Sequence, residues 1–74
     1  MSEDVQQGLL NNSIAKAITI LNVFSYEKPR LRLKDISAMT GINQATAHRL
    51  LNTLKKFNLI EKYNNMLLLQ FSIL

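Results

Sequence analysis

Apolar side chains recur at three- and four-residue intervals at Ile14, Ala17, Ile18, Leu21 and Phe24, with Ser13, or Asn12 just before it, placed to cap the first turn. This pattern predicts an amphipathic helix from Ser13 to about Ser25. Residues 1–12 precede it as a flexible polar arm, in which Val5, Leu9 and Leu10 follow no sustained period. Ile20 and Val23 lie beside the stripe and widen it beyond the need of one small core, which marks them as candidates for a dimer contact. Glu27, Lys28 and Pro29 end the helix, and the alternation Leu31, Arg32, Leu33 reads as a short strand with Arg30 and Arg32 on one side.

A brief second helix is predicted from about Lys34 to Thr40, with Asp35 set favourably against the helix dipole and Ile36 with Met39 or Thr40 facing inward. Gly41 stands where that helix must stop, because a residue without a Cβ takes the left-handed backbone angle at no steric cost. Ile42 then plugs the core, and Asn43 caps a third helix from about Gln44 to Phe57. At about 100° per residue, Ala47, Leu50, Leu51, Leu54 and Phe57 fall in one sector. Ala45, Arg49, Asn52 and Lys56 lie opposite, with Thr46 and His48 on the flanks; a small residue near the start of that polar face lets a partner surface approach closely. Ile36, Ser37, Ile42, Ala47 and Leu50 sit where the packing of a helix-turn-helix needs apolar or small residues. A plain helical hairpin with a glycine cap is the simpler alternative.

Leu59 to Tyr63 has strand character, Asn64 and Asn65 tolerate the positive φ of a tight hairpin, and Met66 to Phe71 returns as a second strand. The predicted fold is therefore mainly α with a small β-hairpin: a winged helix-turn-helix of three helices and a short wing, in one domain over residues 13–74. Its tail, residues 66–74, has seven apolar residues in nine, with Leu67, Leu69, Phe71 and Ile73 on one face. That is more than a small domain buries, so the tail is a candidate for pairing with another chain.

A chain of 74 residues buries only about 60% of the surface its unfolded form exposes, so a partner or self-association would add stability. The absence of cysteine removes disulfides and thiolate metal sites and fits a reducing, cytoplasmic compartment. The first residues lack the basic stretch and apolar run of a secretory signal, and no stretch reaches the roughly 18 apolar residues of a membrane span. The net charge of +4 is unevenly placed. Met1 to Glu27 carries one lysine against three acidic residues, a balance of −2, whereas Lys28 to Lys62 carries eight Lys or Arg against Asp35 and Glu61, a balance of +6. A basic half suits a polyanion partner through counterion release, although a merely solvated basic surface has the same composition.

Arg49, outward near the middle of the third helix, has the reach to bridge guanine O6 and N7; a phosphate contact or a surface ion pair is its alternative. Asn43, Gln44 and Thr46 at the start of that helix are placed for phosphates or nearby bases, and Ala45 and Asn52 complete the face. Lys28, Arg30, Arg32, Lys34, Lys56 and Lys62 are candidates for backbone phosphates, while Lys55 and Lys56 also complement the helix C-terminal dipole. His48 is a groove-flank donor or simply exposed, and with no cysteine and no carboxylate at ligand spacing, no metal site is expected. There is no nucleophile with a base partner, no paired carboxylate and no glycine-rich phosphate loop, so neither catalytic residues nor a cofactor are expected. Asn11-Asn12-Ser13 matches a glycosylation sequon, read here as chance in the absence of a secretory signal.

SIAKAITILNVFS and LRLKDISAMTGINQATAHRLLNTLKKFNLIEKY together resemble the N-terminal DNA-binding domain of the isocitrate lyase regulator (IclR) family of bacterial transcription factors, over about residues 13 to 63. Ser13, Lys16, Ala17, Ile18 and Leu21 resemble the family's opening helix; Thr46, Ala47, His48, Arg49, Leu50 and Leu51 resemble its threonine, variable pair and arginine before a leucine pair. The resemblance implies a winged helix that binds operator DNA as a dimer, with the third helix in the major groove and the wing beside the backbone. In the family a larger C-terminal domain binds a small-molecule effector. No such domain is found within these residues, so no effector is expected here, and MLLLQFSIL replaces the tyrosine-x-leucine-glycine step that ends the family's wing.

The expected function is sequence-specific binding of double-stranded DNA, as a homodimer formed through helix one and the tail, by a transcriptional regulator of IclR type without the effector-binding domain. One alternative is a protein-interaction module that pairs with a full-length regulator through the same apolar surfaces. The chain itself reads equally as an excised domain, a naturally short regulator or the product of an interrupted reading frame.

Overall fold

The computed structural model describes residues 11–70, which form three helices and one antiparallel hairpin: α1 (Asn12–Asn22), α2 (Leu33–Thr40), α3 (Gln44–Lys56), β1 (Ile60–Tyr63) and β2 (Met66–Leu69). Residues 1–10 of the expected arm, and Phe71 and Ile73 of the expected tail, lie outside the described residues. The winged helix-turn-helix expected from the hydrophobic pattern is the fold observed. Among the described residues, no helix is long and apolar enough to cross a membrane.

The cap of α1 is neither Ser13 nor Asn12, both of which lie inside the helix, but Asn11, whose side-chain oxygen accepts the Ile14 amide at 3.1 Å. The helix ends earlier than expected, at Asn22. Ser25, expected as its last residue, instead closes a tight reversal: its hydroxyl accepts the Lys28 amide at 3.0 Å, and its own amide donates to the Lys28 carbonyl at 3.2 Å. The burial of α1 corrects the sequence reading. Ile20 is 0% exposed and lies in the core beside Phe24, with Ala17, Leu21 and Val23 packed against it, while Ile14 and Ile18 face outward. Ile20 and Val23 therefore belong to this domain's own interior and do not form a second surface. Eight of the eleven positions from Ile14 to Phe24 are apolar, so two overlapping stripes satisfy the helical period, and packing against α2 and α3 selects one of them.

The expected strand over Leu31–Leu33 reduces to a single antiparallel bridge, Leu31 with Leu67, with amide-to-carbonyl distances of 2.9 and 2.7 Å. The strand stops there because Arg32 becomes the residue before α2. Its amide donates to the Asp35 carboxylate at 3.2 Å, and its carbonyl accepts the amides of Asp35 and Ile36 at 3.0 Å. Leu33 accordingly begins the helix.

The turn between α2 and α3 is closed by local hydrogen bonds. Gly41 takes φ +78° and donates to the Ser37 carbonyl at 2.9 Å, and the Ser37 hydroxyl donates to the Ile42 carbonyl at 2.6 Å. The Thr40 hydroxyl donates to the Ile36 carbonyl at 2.7 Å and accepts the Ile42 amide at 3.1 Å. Of the two alternatives for the inward position beside Ile36, Thr40 is half-buried and Met39 is exposed. A larger apolar residue at 40 would lose both bonds.

Helix α3 buries Ala47, Leu51 and Leu54, with Leu50 half-buried. Phe57, expected to continue that stripe, is 69% exposed because the helix stops at Lys56. Asn58 takes φ +63° and donates to the Lys55 carbonyl at 3.0 Å, while Leu59 donates to the Leu54 carbonyl at 2.9 Å. This paired closure reverses the chain and turns Phe57 out of the stripe. In the hairpin, Ile60 pairs with Leu69 and Tyr63 with Met66, and Asn64 and Asn65 both take positive φ, as a two-residue hairpin turn requires. Leu59 lies before the first strand, and the second ends at Leu69, short of the expected Phe71. Ile60 and Leu67 complete the core from the sheet side.

Candidate nucleic-acid interface

Burying Ala47, Leu51 and Leu54 dictates what α3 presents to solvent. A helix with one sector in the core exposes the opposite one, and Gln44, Ala45, His48, Arg49, Asn52, Lys55 and Lys56 are all exposed, with Thr46 half-buried. The start of this face is held by Asn43, itself exposed, whose side-chain oxygen accepts the Thr46 amide at 3.2 Å. Ala45 keeps the first turn low, so the backbone there is open to close approach.

Beside that face runs a groove of about 330 Å³ between the start of α2, α3 and the hairpin. Arg32 and Lys34 line it from the first side, His48, Asn52 and Lys55 from the second, and Lys62 and Asn65 from the third. Leu33, Leu51 and Leu67 contribute apolar atoms. Among the described residues, no carboxylate lines it. Arg32, Lys34, Lys55 and Lys62, with His48 among them, thus converge from three separate elements, without an acidic partner among the described lining residues.

The expected phosphate-contacting residues do not form one set. Lys28 and Arg30 line a different groove, together with Glu27, Asp35, Met39 and Met66. Arg30 and Arg32, expected on one side of a strand, separate because the chain turns into α2 at Leu33 and does not stay extended. Lys56 lies on the outward face of α3 and does not line the groove. Two other residues do line it. Lys55 stands seven residues after His48 and four after Leu51, a helical spacing present in the sequence that aligns His48, Asn52 and Lys55 on one edge. Asn65 is brought there by the hairpin turn, a placement with no signature in the local sequence.

Comparison with known proteins gives a consistent picture. Residues 13–62 match the IclR helix-turn-helix domain family. The HTH-type transcriptional regulator XynR of Escherichia coli (strain K12) is 34% identical over 50 residues, which are 68% of this chain and 20% of XynR. The chain therefore spans about a fifth of the length of that relative. Among solved structures, an IclR transcriptional regulator from Silicibacter sp. TM1040 superposes with a TM-score of 0.78 at 26% identity, over 82% of this chain and 24% of that one. An IclR family regulator from Brucella abortus superposes with a TM-score of 0.86 over 96% of this chain and 29% of its own, at 20% identity, a likeness of fold alone. These relatives are transcriptional regulators and not enzymes.

Proposed function

The chain belongs to the IclR helix-turn-helix family, and from that premise we propose that it binds double-stranded DNA sequence-specifically as the DNA-binding module of a transcriptional regulator. The observation that carries this reading is the continuity of two exposed features: the polar edge of α3 (Ala45, Arg49, Asn52) and the basic groove beside it, which no acidic side chain among the described residues lines. In this reading α3 enters the major groove. Arg49 and Asn52 face base edges, Asn43, Gln44 and Thr46 meet phosphates or bases near the helix start, and Arg32, Lys34 and Lys62 meet the backbone. Lys56 lies beside the outward face as a further phosphate contact, whereas Lys28 and Arg30, in the other groove, contribute to the general basic field.

Arg49→Ala is expected to weaken binding to a selected duplex by about 1–3 kcal/mol and to relax sequence preference. Selection of bound duplexes from a random pool, with the wild type and the variant side by side, tests this; equal loss on every sequence would make Arg49 a phosphate contact. Binding is also expected to fall steeply with salt, as phosphate neutralisation requires. Insensitivity to salt would favour the protein-interaction alternative.

The same reading includes a homodimer through α1, with its contact moved to Ile14 and Ile18. These are one helical turn apart and 59% and 51% exposed. Two such domains on one operator would place their α3 helices about 34 Å apart, giving two half-sites one helical turn apart in a footprint.

A further inference from the structure

We propose that His48 engages a backbone phosphate of the duplex as an imidazolium, so that DNA association takes up a proton. This rests on the duplex-binding reading above and adds to it a proton-linked contact. His48 is the only histidine of the chain, and it is exposed on the edge of α3 that borders the basic groove. The charged groups lining that groove with it are Arg32 and Lys34 from the start of α2, Lys55 from α3 and Lys62 from β1; the hairpin turn contributes only the neutral Asn65. Among the described residues no Asp or Glu lines the groove, so none of these walls supplies an anionic partner for an imidazolium. A phosphodiester, negatively charged throughout the physiological range, supplies that partner when it lies among these side chains.

Histidine is the side chain that changes charge between about pH 5 and 8, and its charged form offers two N–H donors where the neutral form offers one. A bound phosphate therefore favours the protonated state, and the complex holds more protons than the free components. The sign follows from linkage. Affinity rises as pH falls, by at most about tenfold per pH unit for one proton taken up.

The test uses the full chain and a short random-sequence duplex, because the phosphate contribution is independent of base sequence. Affinity is measured at constant ionic strength across about pH 6–8. Proton uptake is read by calorimetry in two buffers of different protonation enthalpy. The expected result is a severalfold fall in affinity per pH unit with a fraction of a proton, up to one, taken up; in His48→Gln, the pH dependence and the uptake both vanish while salt dependence remains. Because His48 is exposed, this variant is expected to keep the wild-type circular dichroism and melting curve. Two results overturn the proposal and leave duplex binding intact: salt-dependent binding that is flat with pH in the wild type, or a pH dependence that persists unchanged in His48→Gln. Absence of binding at low salt at every pH overturns both.

Discussion

A methyl group built on Gly41 would meet no atom within 4 Å outside its own residue and its two chain neighbours, so the need for glycine there comes from the backbone alone, held at φ +78°. Left-handed geometry costs a residue with a Cβ about 1–2 kcal/mol, partly offset by the chain entropy that glycine itself loses on folding. Gly41→Ala is therefore expected to destabilise the domain by about 1 kcal/mol without unfolding it, as read from the midpoint of urea denaturation at unchanged slope. A change of slope would point instead to a reorganised turn. Position 41 and the Asn64-Asn65 pair were legible in the sequence because glycine and asparagine advertise positive φ locally. Asn58 was not: its left-handed angle depends on α3 stopping at Lys56, and the apolar Phe57 disguises that stop as one more turn of helix.

Helix α3 offers a way to separate the folding of the interface from its chemistry. Its first turn hangs on the Asn43 side chain, which accepts the Thr46 amide, and it carries Gln44, Ala45 and Thr46. Removing such a cap costs about 1 kcal/mol, so Asn43→Ala is expected to lower stability by that amount and to speed hydrogen exchange at the Thr46 amide. Asn43→Asp keeps an oxygen in the same place and is expected to preserve stability. It brings a negative charge against the phosphates, however, so duplex affinity should drop at low salt and recover relative to wild type as salt rises. Loss of stability in the aspartate variant would show that position 43 does more than cap. Helix α2 and its turn follow the same principle, since Asp35, Ser37 and Thr40 spend their side chains on nearby backbone groups and fix where the two helices end and begin.

The packing of α1 against α2 and α3 divides its apolar residues into two populations with different expected consequences. Ile20 is fully buried in the core, so Ile20→Ala is expected to cost about 2–5 kcal/mol, a large share of the stability of so small a domain, as measured by thermal or urea unfolding. Ile14→Ser combined with Ile18→Ser removes exposed groups and is expected to leave monomer stability within about 1 kcal/mol. If α1 mediates the homodimer, this double variant sediments as a monomer at concentrations where the wild type self-associates. Unchanged association in the double variant would move the contact elsewhere.

The order of the three helices and the hairpin, the stop at Gly41, the asparagine turn and the polar edge of α3 were all readable from residue order. Each depends on backbone preferences or a helical period spanning a few neighbours. The buried face of α1 was not readable, because its apolar arc, from Ile20 round to Ile18, is broader than one packed face and fits more than one orientation, and the choice belongs to its neighbours. Nor was the division of the basic residues between two grooves. That division depends on the bridge between Leu31 and Leu67, a contact between segments far apart in sequence, which ends the extended stretch where the local bonds of Arg32 start α2, and it is what sets His48, Lys55 and Lys62 around one basic groove.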